Sequence, residues 1–130
     1  MFLRTGIDLI EIARLDNLSE QIKPRFLQRV FTPTELNEVG ASSASLAGRF
    51  AAKEAVAKAL GTGIGPVSWQ DIEIRRGPEG EPVLELHGNA LRLAGEQRLG
   101  CWSISISHTQ THAVAVAVAL GEQNQPVANL

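Results

Sequence analysis

The sequence predicts a single α+β domain in which an antiparallel sheet packs on one long central helix. Three observations point there. The run Arg49-Phe-Ala-Ala-Lys-Glu-Ala-Val-Ala-Lys-Ala-Leu60 is rich in Ala, free of Gly and Pro, and stops at Gly61, a natural helix C-cap. Asp71 to Arg75 alternates polar with apolar, turns through Gly77-Pro78-Glu79-Gly80, and returns over Val83 to Leu86. Trp102 to Ser107 alternates strictly, and His112 to Leu120 forms a last strand with valines on one face and alanines on the other. Both faces of that strand are apolar, so both need cover. The central helix can cover one face, and the other calls for a second subunit.

The whole-chain properties narrow the class. With 130 residues, 44% of them hydrophobic, the chain suffices for one domain with a core. A net charge of −2 gives no global signal for nucleic acid or for a membrane surface. The longest apolar run, Ala113 to Leu120, is far too short to span a bilayer. The first residues, Met-Phe-Leu-Arg-Thr-Gly, lack a signal-peptide pattern. The lone Cys101 excludes an intrachain disulfide framework and offers no metal cluster. The expectation is a soluble cytoplasmic domain over residues 1–120, followed by a loosely ordered tail over 121–130.

In chain order, Phe2 to Ile12 is β-prone and puts Gly6, Asp8 and Ile10 on one face. An acid between Ile7 and Leu9 needs a partner. Asp8 is either a strand-end cap for the following helix or a metal ligand. Lys23, Arg25 and Arg29 then form a local basic patch, with Phe26, Leu27 and Val30 interleaved and Arg14 upstream. Such a patch suits an acidic partner, although it is also the ordinary outer face of an amphipathic helix. Thr32-Pro33-Thr34-Glu35 is a helix start with a capping box, and that helix should end near Gly40. Ser42 or Ser43 caps the long helix. Gly61-Thr-Gly-Ile-Gly-Pro66 cannot continue it; the loop either admits a ligand's close approach or simply turns the chain. Asn89 to Leu99 has helical spacing, with Leu91, Ala94 and Leu99 facing inward.

On the long helix Phe50, Glu54 and Lys58 follow one another at i, i+4, and Arg49 and Lys53 form the adjoining row. By spacing alone this is a solvated Glu–Lys ladder or a carboxylate flanked by cations for a phosphate ligand.

Three separated pieces decide between those readings. Gly6-Ile7-Asp8, the central Arg49-Phe-Ala-Ala-Lys-Glu-Ala-Val-Ala-Lys-Ala59, and Ser105-Ile-Ser-His-Thr109 closely resemble the motifs of holo-acyl-carrier-protein synthases. The likeness extends over Phe31 to Leu36 and Trp69 to Arg75, and so spans nearly the whole chain. It implies the α+β fold of the 4′-phosphopantetheinyl transferases. It also implies Mg²⁺-dependent transfer of phosphopantetheine from coenzyme A to a serine of apo-acyl-carrier protein, releasing 3′,5′-ADP. Asp8 and Glu54 match the family's metal-binding carboxylates, and Lys58 its phosphate-side lysine. Arg49 and Lys53 match contacts to other coenzyme A phosphates, and Gly61 is expected to bind coenzyme A with them. His108 either lines the nucleotide site or satisfies backbone groups at a strand end; His87 and His112 receive no role. Arg14, Arg25, Phe26 and Arg29 are the expected surface for the acidic carrier protein. The family assembles as a homotrimer with active sites between subunits, which agrees with the two-sided apolar strand. A carrier-binding module without catalysis and a different Mg²⁺-dependent phosphotransferase are the other two classes. The first would need neither Asp8 nor Glu54.

Overall fold

The computed structural model describes residues 1–123. Its elements are β1 (Phe2–Glu11), α1 (Ala13–Asp16), α2 (Lys23–Val30), α3 (Pro33–Val39), α4 (Ser43–Leu60), a 3-10 turn (Trp69–Asp71), β2 (Ile72–Arg76), β3 (Pro82–Leu86), α5 (Gly88–Glu96), β4 (Leu99–His108) and β5 (His112–Gly121). β5 is the middle strand of a three-stranded antiparallel sheet between β1 and β4, while β2 and β3 pair as a separate hairpin. The expected α+β layout is present, with α4 at its centre.

α4 starts where the hydroxyl of Ser42 accepts from the Ser45 amide at 3.2 Å, and ends where Gly61 turns left-handed at φ 82°. It is not an exposed ladder. From Leu46 to Leu60 every residue is buried except Glu54 and Lys58. The alanine face of β5 lies against it, with Ala113, Ala115, Ala117 and Ala119 wholly buried. Small side chains on both elements let the backbones approach closely. β1 comes closest: a Cβ on Gly6 would stand 1.8 Å from the Ala55 carbonyl oxygen, so only glycine fits. Asp8, two residues on, shares that face and is carried to the helix with it.

The β2–β3 hairpin is tied on from the other side. Thr32 and Glu35 form the expected capping box, at 3.1 Å from the Glu35 amide to Thr32 Oγ1 and 2.8 Å from the Thr32 amide to Glu35 Oε1. The Glu35 carboxylate also accepts from the Ile74 amide at 2.8 Å, joining α3 to β2.

Two boundaries differ from expectation. The helix begun near Asn89 stops at Glu96, because Arg98 takes a positive φ of 59° and Leu99 opens β4; Leu91, expected inward, is exposed. β5 continues through Gly121, and the Glu122 amide bonds the Arg98 carbonyl at 3.2 Å, so residues 121 and 122 belong to the fold rather than to the expected tail. Residues 124–130 of that tail lie outside the described residues. Among the described residues no helix is long and apolar enough to cross a membrane.

Candidate active site

The two residues that α4 leaves uncovered between Leu46 and Leu60 both act on Asp8. Asp8 sits mid-strand, opposite Ala115, and does not cap α1, whose N-cap is Ile12. Lys58 Nζ donates to the Ile7 carbonyl at 2.9 Å and lies 3.3 Å from Asp8 Oδ1. Burial pushes the Glu54 carboxyl above the usual range, and the charge of Asp8 pushes it further; Lys58 and Arg14 offset part of this. Two carboxylates therefore repel each other across the β1–α4 contact, and an ammonium is the cation already drawn to one of them. That arrangement fits Mg²⁺, a hard cation that takes one or two protein carboxylates and completes its shell with phosphate and water.

The adjoining row behaves differently. Lys53, expected at a coenzyme A phosphate, is wholly buried. Its ammonium lies 2.8 Å from Glu35 Oε1 and donates to the carbonyls of Ile72 at 2.6 Å and Trp69 at 3.0 Å. In this chain Lys53 is a strut between α4, α3 and β2. The spacing hid this because Lys53 shares its helix row with Arg49, and nothing local announces that Glu35 arrives from another helix. Burial lowers the Lys53 pKa, against the opposing pull of Glu35 and Glu73. Arg49 is also largely buried, with Nη1 3.0 Å from Glu38 Oε1. It nevertheless lines a cavity of about 190 Å³ together with Arg75, Arg76, Gly48, Ile106 and His108.

His108 is exposed at the end of β4, with Nδ1 3.2 Å from the Thr109 carbonyl oxygen. The structure thus brings His108 and Arg49 to one cavity, and adds Arg75 and Arg76, which sequence spacing did not single out. The Gly61 amide is committed to the Lys58 carbonyl at 3.0 Å; its glycine serves the positive φ of the cap. A larger apolar groove of about 470 Å³ is lined by Leu84, Leu86, Leu91, Leu99 and Trp102, and shares no residue with this site.

On the basic patch, Arg14, Arg25 and Arg29 are all exposed. Phe26 is not the free apolar contact expected there. Its ring packs at 5.7 Å on Phe50, which stacks at 4.9 Å on Trp69. Ile22, at the start of α2 and 56% exposed, stands outside instead.

Comparison with known proteins agrees with this geometry. Residues 4–118 match the model of the 4′-phosphopantetheinyl transferase superfamily. The holo-[acyl-carrier-protein] synthase of Moorella thermoacetica is 53% identical over 125 residues, 94% of this chain and 95% of that protein. That of Alkaliphilus metalliredigens is 49% identical, covering 88% and 95%. The crystal structure of the Helicobacter pylori synthase in complex with coenzyme A superposes with a TM-score of 0.81 at 37% identity, covering 89% of this chain and 99% of that one. The Neisseria meningitidis synthase gives 0.81 at 36% identity, covering 90% and 97%. With the family model matched over almost the whole described chain, this protein belongs to the 4′-phosphopantetheinyl transferase superfamily.

Proposed function

We propose that the chain is a holo-acyl-carrier-protein synthase working through Asp8, Glu54 and Lys58. The reaction moves 4′-phosphopantetheine from coenzyme A to a serine of apo-acyl-carrier protein. One observation carries the residue assignment: of the fifteen positions from Leu46 to Leu60 only Glu54 and Lys58 escape burial, and Lys58 contacts Asp8 while Glu54 feels its charge. A module that only held the carrier would have no use for a strained carboxylate pair beside a lysine.

In the transfer, the carrier's serine oxygen forms a bond to the phosphorus that bears pantetheine. The bond from that phosphorus to the bridging oxygen of the pyrophosphate breaks, and 3′,5′-ADP leaves with the electron pair. The serine's proton is released to solvent in the same exchange. Bound between Asp8 and Glu54, Mg²⁺ would supply neutralisation of charge on the pyrophosphate. Lys58 is half exposed, so its ammonium is free to turn from Asp8 to a phosphate oxygen and stabilise the leaving group. Arg49 and His108, with Arg75 and Arg76, offer a cationic cavity for a further coenzyme A phosphate. Coenzyme A bound to the Helicobacter pylori neighbour supports that substrate.

Arg14, Arg25 and Arg29 are the docking surface for the carrier, with Ile22 in place of Phe26 as its apolar contact. Arg14 acts on Glu54 electrostatically, which supports a carrier docked near the carboxylates at this end of the patch. The protein assembles as a homotrimer through the outer face of its sheet, and works in the cytoplasm, where Cys101 stays reduced. Incubation with coenzyme A, Mg²⁺ and an apo-acyl-carrier protein, followed by mass spectrometry of the carrier, tests the reading. A gain of one phosphopantetheinyl group supports it. Binding without mass gain would make the chain a carrier-binding module, and neither result would point to another phosphotransferase.

A further inference from the structure

Glu73 on β2 and Glu85 on β3 stand directly opposite each other in the hairpin, an arrangement in which like charges repel. His87 lies two residues beyond Glu85 and so returns to the same face. One carboxylate oxygen from each glutamate and a ring nitrogen of His87 all lie within 4.8 Å of one another. Glu73 is 7% exposed, yet the cluster opens outward through Glu85 and His87. We propose that Glu73, Glu85 and His87 form a site for a divalent transition-metal ion of the Zn²⁺ class, separate from the Asp8–Glu54 pair and independent of its assignment.

The donor set argues for that class. Two carboxylates and one imidazole make a borderline N/O site, suited to tetrahedral Zn²⁺ with water in the fourth position, whereas Mg²⁺ selects oxygen alone. Distances argue the same way. Two donors each about 2.0–2.1 Å from a tetrahedral ion lie about 3.3 Å apart, and His87 Nε2 already stands 3.1 Å from Glu73 Oε1. The pair thus already has close to the spacing of two ligands on one ion.

The shell around the ligands is formed too. Thr32 Oγ1 donates to Glu73 Oε2, the other oxygen of the carboxylate, which is how an outer partner fixes a ligand's orientation. The His87 backbone amide bonds the Asp71 carbonyl at 2.8 Å and anchors the start of the ring's side chain. Glu85 is exposed and paired with Arg75 at 3.3 Å, an exposed pair of a kind that is weak, so it can turn inward to complete the set. An ion there would clasp both strands of the hairpin to the start of α5.

Calorimetric titration of the metal-free protein with Zn²⁺, without Mg²⁺ or coenzyme A, tests this. One Zn²⁺ site is expected, retained in Asp8→Asn and weakened at least about 10-fold in His87→Gln, the lower end of what loss of even an outer partner causes. ¹⁵N resonances of the histidine rings need no variant: Zn²⁺ should move Nε2 of His87 and leave His108 and His112 in place. Zn²⁺ binding unchanged by His87→Gln, lost in Asp8→Asn, registered at His108 or His112 alone, or absent altogether would each overturn the site.

Discussion

At Glu54 the fold holds a carboxylate where its charge is disfavoured. Its carboxyl lies above the usual range because burial and Asp8 both disfavour its charge. A folded pKa above the unfolded value means that this group's contribution to stability is whole below about pH 4.3, the unfolded value, and is lost as the pH rises through the folded one. Replacing Glu54 by Gln removes that loss. The metal-free variant should therefore melt at a higher temperature than the parent at neutral pH, with the gap closing in acid. The same variant, like Asp8→Asn, should lose at least about 10²-fold in transfer, the scale expected when a group stabilising transition-state charge is removed. Calorimetric melts at two pH values and a transfer assay check both halves. Near-normal turnover in either variant would remove these carboxylates from the chemistry.

At the scale of elements, the strut through Lys53 does what the row of cations on α4 was expected to do at a ligand. Buried at 2.8 Å from Glu35 and bonded to two carbonyls, its charge is compensated by α3 and β2 together. Lys53→Met leaves Glu35 buried without its cation, and breaking such a pair from one side costs about 3–5 kcal/mol. Urea unfolding should show that loss, while the folded fraction keeps a normal KM for coenzyme A; a selective rise in that KM would return Lys53 to the phosphate site. The contrast with Glu54 shows how far the sequence was legible. Local signals held up where the physics is local: the Thr32–Glu35 box, the Gly61 stop and the alternation of β5 appear as read, and of the two serines read as caps Ser42 is the one used. The motifs also identified Asp8, Glu54 and Lys58, which the fold brings together. Tertiary pairing was not visible. Nothing around Glu35 points to Lys53, nothing around Phe26 points to Phe50, and the convergence of Glu73 with His87 exists only once the hairpin closes. The left-handed Arg98 that ended α5 early carries no glycine to give it away.

At the scale of the whole molecule two surfaces remain open, and their chemistries differ. One is the patch of Arg14, Arg25 and Arg29. Exposed charges of this kind act mainly on encounter and are screened over about 8 Å at physiological ionic strength. Reversing Arg14 and Arg25 to Glu should raise KM for the carrier protein by roughly an order of magnitude, leave that for coenzyme A unchanged, and blunt the salt dependence of the parent, as steady-state kinetics at two salt concentrations would reveal. Equal effects on both substrates would move the patch to the coenzyme A site or a subunit contact.

The other surface is the outer face of the sheet, where β5 exchanges its alanines for valines. Leu3 pairs with Leu120, Ile7 with Val116, and Leu9 with Val114, while β4 lays Ser103, Ser105 and Ser107 along the same face. Leu3, Ile7 and Leu9 are 64%, 59% and 64% exposed, far more than a strand of aliphatic residues keeps when its sheet is covered. Alternation requires this outcome: with the alanines spent on α4, every second residue of β1 and β5 must point away from it. The homotrimer proposed above would bury this face. Val116 lies at the middle of β5, flanked in register by Ile7 and Ser105, so Val116→Asp sets a carboxylate at the centre of that contact without touching α4. Light scattering should give a trimer for the parent and a monomer for the variant. Circular dichroism should be retained, and transfer should be lost if, as the proposed assembly has it, the sites lie between subunits. A parent that scatters as a monomer would end the proposal before any substitution is made. A monomeric variant with full transfer would keep the assembly and place each active site within one chain.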